Sequence, residues 1–101
     1  MSDGHPLDEQ WARAEIDAFG RVQGVFYRDT IRRAALDSGV TGSATNMADG
    51  SVSIVLEGPR EQVAAVIDVA RHGPPAAQVE RLEINWEEPV GVTGFAIGTE
   101  Y

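Results

Sequence analysis

A chain of 101 residues with no cysteine and no lysine, in which sixteen acidic residues face eight arginines for a formal charge of −8, reads as one domain whose core needs no disulfide. That charge argues against nucleic acid and anionic membranes as partners, since both require a positive footprint. The apolar runs are too short to span a bilayer, no signal peptide is seen, and nothing requires an oxidising compartment, so a cytoplasmic protein is expected.

Residues 1–10 are polar and without period, and read as a flexible leader to a domain over 11–101. From Ala12 the chain alternates, with Ala12, Ala14, Ile16 and Ala18 on one face and Arg13, Glu15 and Asp17 on the other, the pattern of a half-buried strand. Trp11 would cap the end of that strand. The run Gly20-Arg21-Val22-Gln23-Gly24-Val25-Phe26-Tyr27-Arg28 follows and opens onto a helix expected at about 27–38, stopped by Gly39. A second strand is expected over roughly 40–46. Met47-Ala48-Asp49-Gly50 reads as a hairpin connection, with Asp49-Gly50 supplying the positive φ angles.

The third strand places Val52, Ile54 and Leu56 inward and Ser51, Ser53 and Val55 outward, and stops at Gly58-Pro59. A second helix, opening at Pro59 or Arg60, buries Val63, Val66, Ile67 and Ala70 at helical spacing and ends at His72-Gly73-Pro74-Pro75. A fourth strand puts Leu82, Ile84 and Trp86 on one side. Glu87 to Gly94 reads as a loop, and Phe95-Ala96-Ile97 as a short closing strand. The order βαββαβ with that addition predicts an α+β, ferredoxin-like sandwich, an antiparallel sheet with both helices on one face.

The glycine-bearing turn between the first strand and the first helix has the geometry of an anion cradle. N–H groups freed at the helix start converge there, the dipole adds roughly half a positive charge, and Arg28 can fork two bonds onto phosphate oxygens. The alternative is a tight turn with a solvated arginine. The spacing is neither a nucleotide-triphosphate loop, which needs Lys, nor GxGxxG, and the chain lacks the thiolate of a cysteine phosphatase. An enzyme built on this loop must use water as its nucleophile.

Gly20-Arg-Val-Gln-Gly-Val-Phe-Tyr-Arg28 resembles the signature loop of the acylphosphatases, which hydrolyse carboxyl-phosphate mixed anhydrides. Gly42-Ser-Ala-Thr-Asn46-Met-Ala-Asp-Gly50 and Gly73-Pro74 resemble that family's second and third motifs, in family order and at family spacing. One departure is Ser43-Ala44-Thr45, where the family usually carries Trp-Val-Arg or Trp-Val-Gln. The resemblance implies phosphate held by the backbone of Gln23, Gly24, Val25, Phe26, Tyr27 and Arg28 and by the Arg28 side chain. It implies a water oriented by Asn46, with Arg28 and Asn46 as the catalytic residues. No cofactor and no metal are expected, and a carboxylate leaves without a general acid.

Asp29 is expected to favour the helix N-terminus rather than to act as a nucleophile, Arg21 to face solvent, and His5 and His72 to be exposed. Trp11, Trp86 and Phe95 read as core or edge aromatics. The implied partners are a small acyl phosphate and, as product and inhibitor, inorganic phosphate, bound by a monomer. Two other readings stay open: a non-catalytic anion-binding or regulatory module on this fold, and an RNA-binding domain of similar topology, which would want basic and aromatic residues on the open sheet face. The acidity is spread along the chain, and with the complete loss of lysine it points to a salt-loving host.

Overall fold

In the computed structural model, which describes residues 11–101, the strand β1 (Trp11–Arg21) lies near the middle of the sheet, and everything else is hung on it. The helix α1 (Tyr27–Ser38) follows, then the strands β2 (Thr41–Met47) and β3 (Val52–Pro59). The helix α2 (Arg60–His72) and the strands β4 (Gln78–Glu87) and β5 (Phe95–Glu100) complete the chain. The sheet order is β4-β1-β3-β2-β5. This is the expected ferredoxin-like sandwich. Among the described residues no helix is long and apolar enough to cross a membrane.

The alternation read from the sequence sets which face is covered. Ala12, Ala14, Ile16 and Ala18 of β1 and Val52, Ile54 and Leu56 of β3 are buried on the helix-covered face, where α2 packs on β1 and β3 and α1 on β2 and β5. In register across β1 and β3, Ile16 meets Ile54 and Ala14 meets Leu56. From above, α1 contributes Tyr27, Ile31 and Ala35, and α2 contributes Val63, Val66, Ile67 and Ala70. Both helices end as their sequences predict: Gly39 takes φ 71° and Gly73 φ 68°, and their N–H groups close onto carbonyls of the last turn.

The sheet differs from expectation in direction. It is mixed, because β5 pairs parallel with β2. The reason is the connection: the chain leaves β4 at one edge, crosses under the same end of the sheet, and starts β5 at the far edge. It therefore runs opposite to β4, and so does β2. β5 is also longer than the three residues expected, since it is paired with β2 from Phe95 to Glu100. At the hairpin between β2 and β3 only Gly50 takes a positive φ, 93°. Asp49 contributes through its side chain instead, with Oδ1 accepting from Ser51 N (2.9 Å) and Ser51 Oγ (2.6 Å). Ser51, expected outside, is drawn in and buried by that turn. Trp86, read from the sequence as a core or edge aromatic, is an edge one, with the Arg60 guanidinium 4.2 Å above its ring.

Candidate active site

Gly20 is where β1 is bent to deliver the loop. The register of β1 against β4 shifts between Phe19 and Gly20, Gly20 sits at φ 124°, and a Cβ there would collide with the Gln78 carbonyl. Only glycine fits. The chain then turns through Gly24 at φ 74° and Phe26 at φ 64°, the one non-glycine residue with positive φ among those described. These left-handed residues fold the backbone so that successive N–H groups face one side, the arrangement of an anion-binding nest. Phe26 is the N-cap of α1 and supplies no side-chain cap. Among the described residues, the N–H groups of residues 24–29 have no hydrogen-bond partner.

Val22, Gly24, Phe26, Tyr27, Arg28, Asp29 and Ile97 line a cavity of about 340 Å³ in front of these groups. The Arg28 Nη1 donates to Gly98 O at 2.6 Å and to Thr99 Oγ1 at 3.2 Å. Its Nε and Nη2 have no partner among the described residues. β5 therefore aims the guanidinium by one nitrogen while the other two stay available. Tyr27 takes part through its backbone only, since its side chain is buried in the core with the phenol donating to Ala70 O at 2.7 Å. Burial alone pushes that phenol far above the ordinary range. Val25 packs partly against the core.

Asn46 is not among the residues that line the cavity. It is only 6% exposed, because even-numbered residues of β2 face the helices. Its Oδ1 is a buried acceptor with no partner among the described residues. In the β2–β5 register Asn46 lies opposite Thr99, the residue that receives Arg28. A second tie comes from Gln23, whose Nε2 donates to Met47 O at 2.9 Å and Ser51 O at 2.8 Å. This amide bolts the loop to the turn that follows Asn46. The sequence reading assigned Gln23 a backbone role; its side chain does the positioning, and the polar residue inside an otherwise apolar and glycine-rich loop was the available signal.

The sequence reading also missed what holds β5. The Glu57 side chain is 1% exposed although it lies on the face away from the helices. The chain joining β4 to β5 wraps it. Glu57 Oε2 accepts from Arg13 Nη1 at 2.7 Å and Val90 N at 2.9 Å, and Oε1 accepts from Gly91 N at 3.0 Å and Val92 N at 3.1 Å. Burial opposes the charge, but the three N–H groups and Arg13 together outweigh it and hold the carboxyl below its ordinary value.

Other candidates fall away from the site. Asp29 lies at the cavity edge, but its carboxylate is taken by Arg33 (2.6 Å) and Arg32 (3.0 Å), which lower its pKa. Arg21 is exposed. His72 is exposed with Nδ1 at 2.9 Å from Asp68 O, while His5 and the expected leader lie outside the described residues. Among the described residues there is no group of three His, Cys, Asp or Glu placed to hold a metal.

The acylphosphatase family model matches residues 14–97. An acylphosphatase of Thermococcus kodakarensis is 47% identical over 85 residues, which cover 84% of this chain and 93% of that protein. Among solved structures, an acylphosphatase from Coxiella burnetii aligns with a TM-score of 0.85 at 25% identity, covering 92% of this chain and 98% of the other. The acylphosphatase from Bacillus subtilis aligns with a TM-score of 0.82 at 28% identity, covering 85% and 97%.

Proposed function

Because the chain belongs to the acylphosphatase family, we propose that it hydrolyses acyl phosphates with the phosphoryl group held by residues 23–28 and the attacking water oriented by Asn46. The observation that carries this reading is the uncapped start of α1, where N–H groups and two nitrogens of Arg28 without a partner among the described residues face one cavity. An anion is what such a place accepts. All of its parts come from one chain, in keeping with a monomer.

The reaction then needs little beyond positioning. Phosphoryl transfer passes through a loose transition state, with negative charge spread over the equatorial oxygens. The loop N–H groups and the Arg28 fork meet those oxygens, and their dipoles are set before reaction begins. The buried Asn46 Oδ1 accepts a hydrogen bond from water and turns its lone pair toward phosphorus. The water oxygen bonds to phosphorus as the bond from phosphorus to the carboxylate oxygen breaks. The bonding pair leaves with the carboxylate, and the water's proton passes to phosphate or solvent. The leaving group is a carboxylate, a weak base that is stable unprotonated at neutral pH, so no general acid is required. Arg28 and the N–H groups meet the charge that a divalent cation would otherwise meet, so no metal is required either.

Two variants and a chelator test this with benzoyl phosphate as substrate. Arg28→Ala should abolish both turnover and inhibition by inorganic phosphate, and Arg28→Lys should restore little, because the fork is lost. Asn46→Ala should keep phosphate inhibition while kcat falls roughly 10²–10³-fold, the cost of one positioned hydrogen-bonding group. Excess EDTA should change nothing. Loss of phosphate binding in Asn46→Ala makes that residue a ligand instead, and loss of activity on chelation refutes the metal-free site.

A further inference from the structure

Phe26 carries two costs. Its left-handed backbone strains any residue that carries a Cβ. Its ring, moreover, is 78% exposed, so no core packing offsets that cost. Backbone geometry alone does not require an aromatic there, since asparagine or glycine adopts φ 64° more readily. An outlier of this kind, at the rim of a binding cavity, points to a role for the side chain.

That cavity is too large for a phosphate group alone. At about 340 Å³ it falls within the range of small-molecule sites, roughly 300–1,000 Å³. Its polar lining lies at the α1 start and includes Asp29, whose carboxylate is held by Arg32 and Arg33, while the rest of its wall is apolar: Val22, Phe26 and, from β5, Ile97. Ile97 is 42% exposed, an unusual condition for isoleucine on the helix-covered side of the sheet. Phe26 follows directly on the nest, and Ile97 immediately precedes Gly98, the residue that fixes Arg28. Whatever is covalently joined to a phosphoryl group in the nest therefore emerges between two exposed apolar side chains. Beyond that wall the molecule carries a formal charge of −8, which repels an acidic or strongly polar acyl group.

We infer that Phe26 and Ile97 form the acyl subsite, and that the chain selects acyl phosphates whose acyl group is aromatic or bulky and apolar over small or charged ones. This inference rests on the hydrolase reading above. The acyl carbon skeleton packs between the Phe26 ring and the Ile97 side chain while the phosphoryl oxygens meet the nest. An aromatic acyl group gains the most, through ring–ring contact with Phe26 beyond simple area burial. The small acetyl group reaches neither wall.

The test compares kcat/KM for benzoyl phosphate with kcat/KM for acetyl phosphate in wild type, Ile97→Ala and Phe26→Asn. Asparagine tolerates the left-handed backbone, so this variant removes the ring and spares the nest. The ratio cancels any general loss in loop geometry, because both substrates present the same phosphoryl group. Wild type should favour benzoyl phosphate, and the ratio should fall about tenfold in each variant. Ile97→Ala should also leave inhibition by inorganic phosphate in place. Turnover of both substrates with an unmoved ratio overturns the subsite and leaves the hydrolase standing. No turnover of either substrate by wild type removes both.

Discussion

Replacing Glu57 by Gln should be among the more damaging isosteric changes available in this domain, although Glu57 touches no substrate. The carboxylate receives four donors, Arg13 Nη1 and the N–H groups of Val90, Gly91 and Val92. An amide has one oxygen. Placed to serve Gly91 and Val92, it turns its own NH₂ toward Arg13 and Val90, so two charge-assisted bonds are replaced by facing donors. Such bonds contribute about 1.5–3 kcal/mol each, offset in part because a buried carboxylate no longer has to be desolvated. The expected net loss is about 3 kcal/mol, or a fall in Tm of roughly 10–20 °C for a domain of this size. Urea titration at pH 7 reads it directly.

The pH dependence gives a second check on the same residue. The folded-state pKa of Glu57 lies below the ordinary value, near 4.3 for a free Glu. Its contribution is therefore fully present above that value and is lost as pH falls through the depressed folded one. Wild type and Glu57→Gln should differ most near neutrality and converge below about pH 4. A neutral-pH loss under about 1 kcal/mol, or a gap that does not close in acid, refutes the idea that this carboxylate clamps the crossing chain.

Gln23→Ala should cut kcat roughly 10–100-fold while inorganic phosphate still inhibits, because a loosened loop misplaces the phosphoryl group relative to Asn46; steady-state kinetics with phosphate as inhibitor will separate the two. Tyr27→Phe should lower stability by about 1–1.5 kcal/mol in urea, since the Ala70 carbonyl loses its donor, and the wild-type phenol should resist ionisation well above the usual value of about 10. Raising potassium chloride from about 0.1 M to about 1 M shortens the Debye length from about 10 Å to about 3 Å and should raise the unfolding midpoint of a domain carrying −8. A midpoint that is flat or falling sinks the salt-adapted reading.

Local pattern was enough for the elements and for the position of the glycine-bearing loop between β1 and α1. Alternation from Ala12 to Ala18 and from Val52 to Leu56, and helical spacing from Val63 to Ala70, each sort a segment into a buried and an exposed face. Those patterns act within a few residues, so they survive translation into structure nearly unchanged. The positive-φ glycine stops at Gly39 and Gly73 and the loop from Gly20 to Arg28 are legible for the same reason. Only the tertiary structure decided how the pieces meet. The parallel pairing of β5 with β2 depends on which edge the chain reaches after crossing, and no local period encodes that. The orientation of Arg28 is set by Gly98 and Thr99, seventy and more positions away, and the bolt from Gln23 reaches Met47 and Ser51. Burial of Asn46 follows from β2 lying under α1, and burial of Glu57 from a loop that wraps the opposite face. In each case a residue acquires its role from a neighbour distant in sequence, and such a contact exists only once the chain has closed on itself.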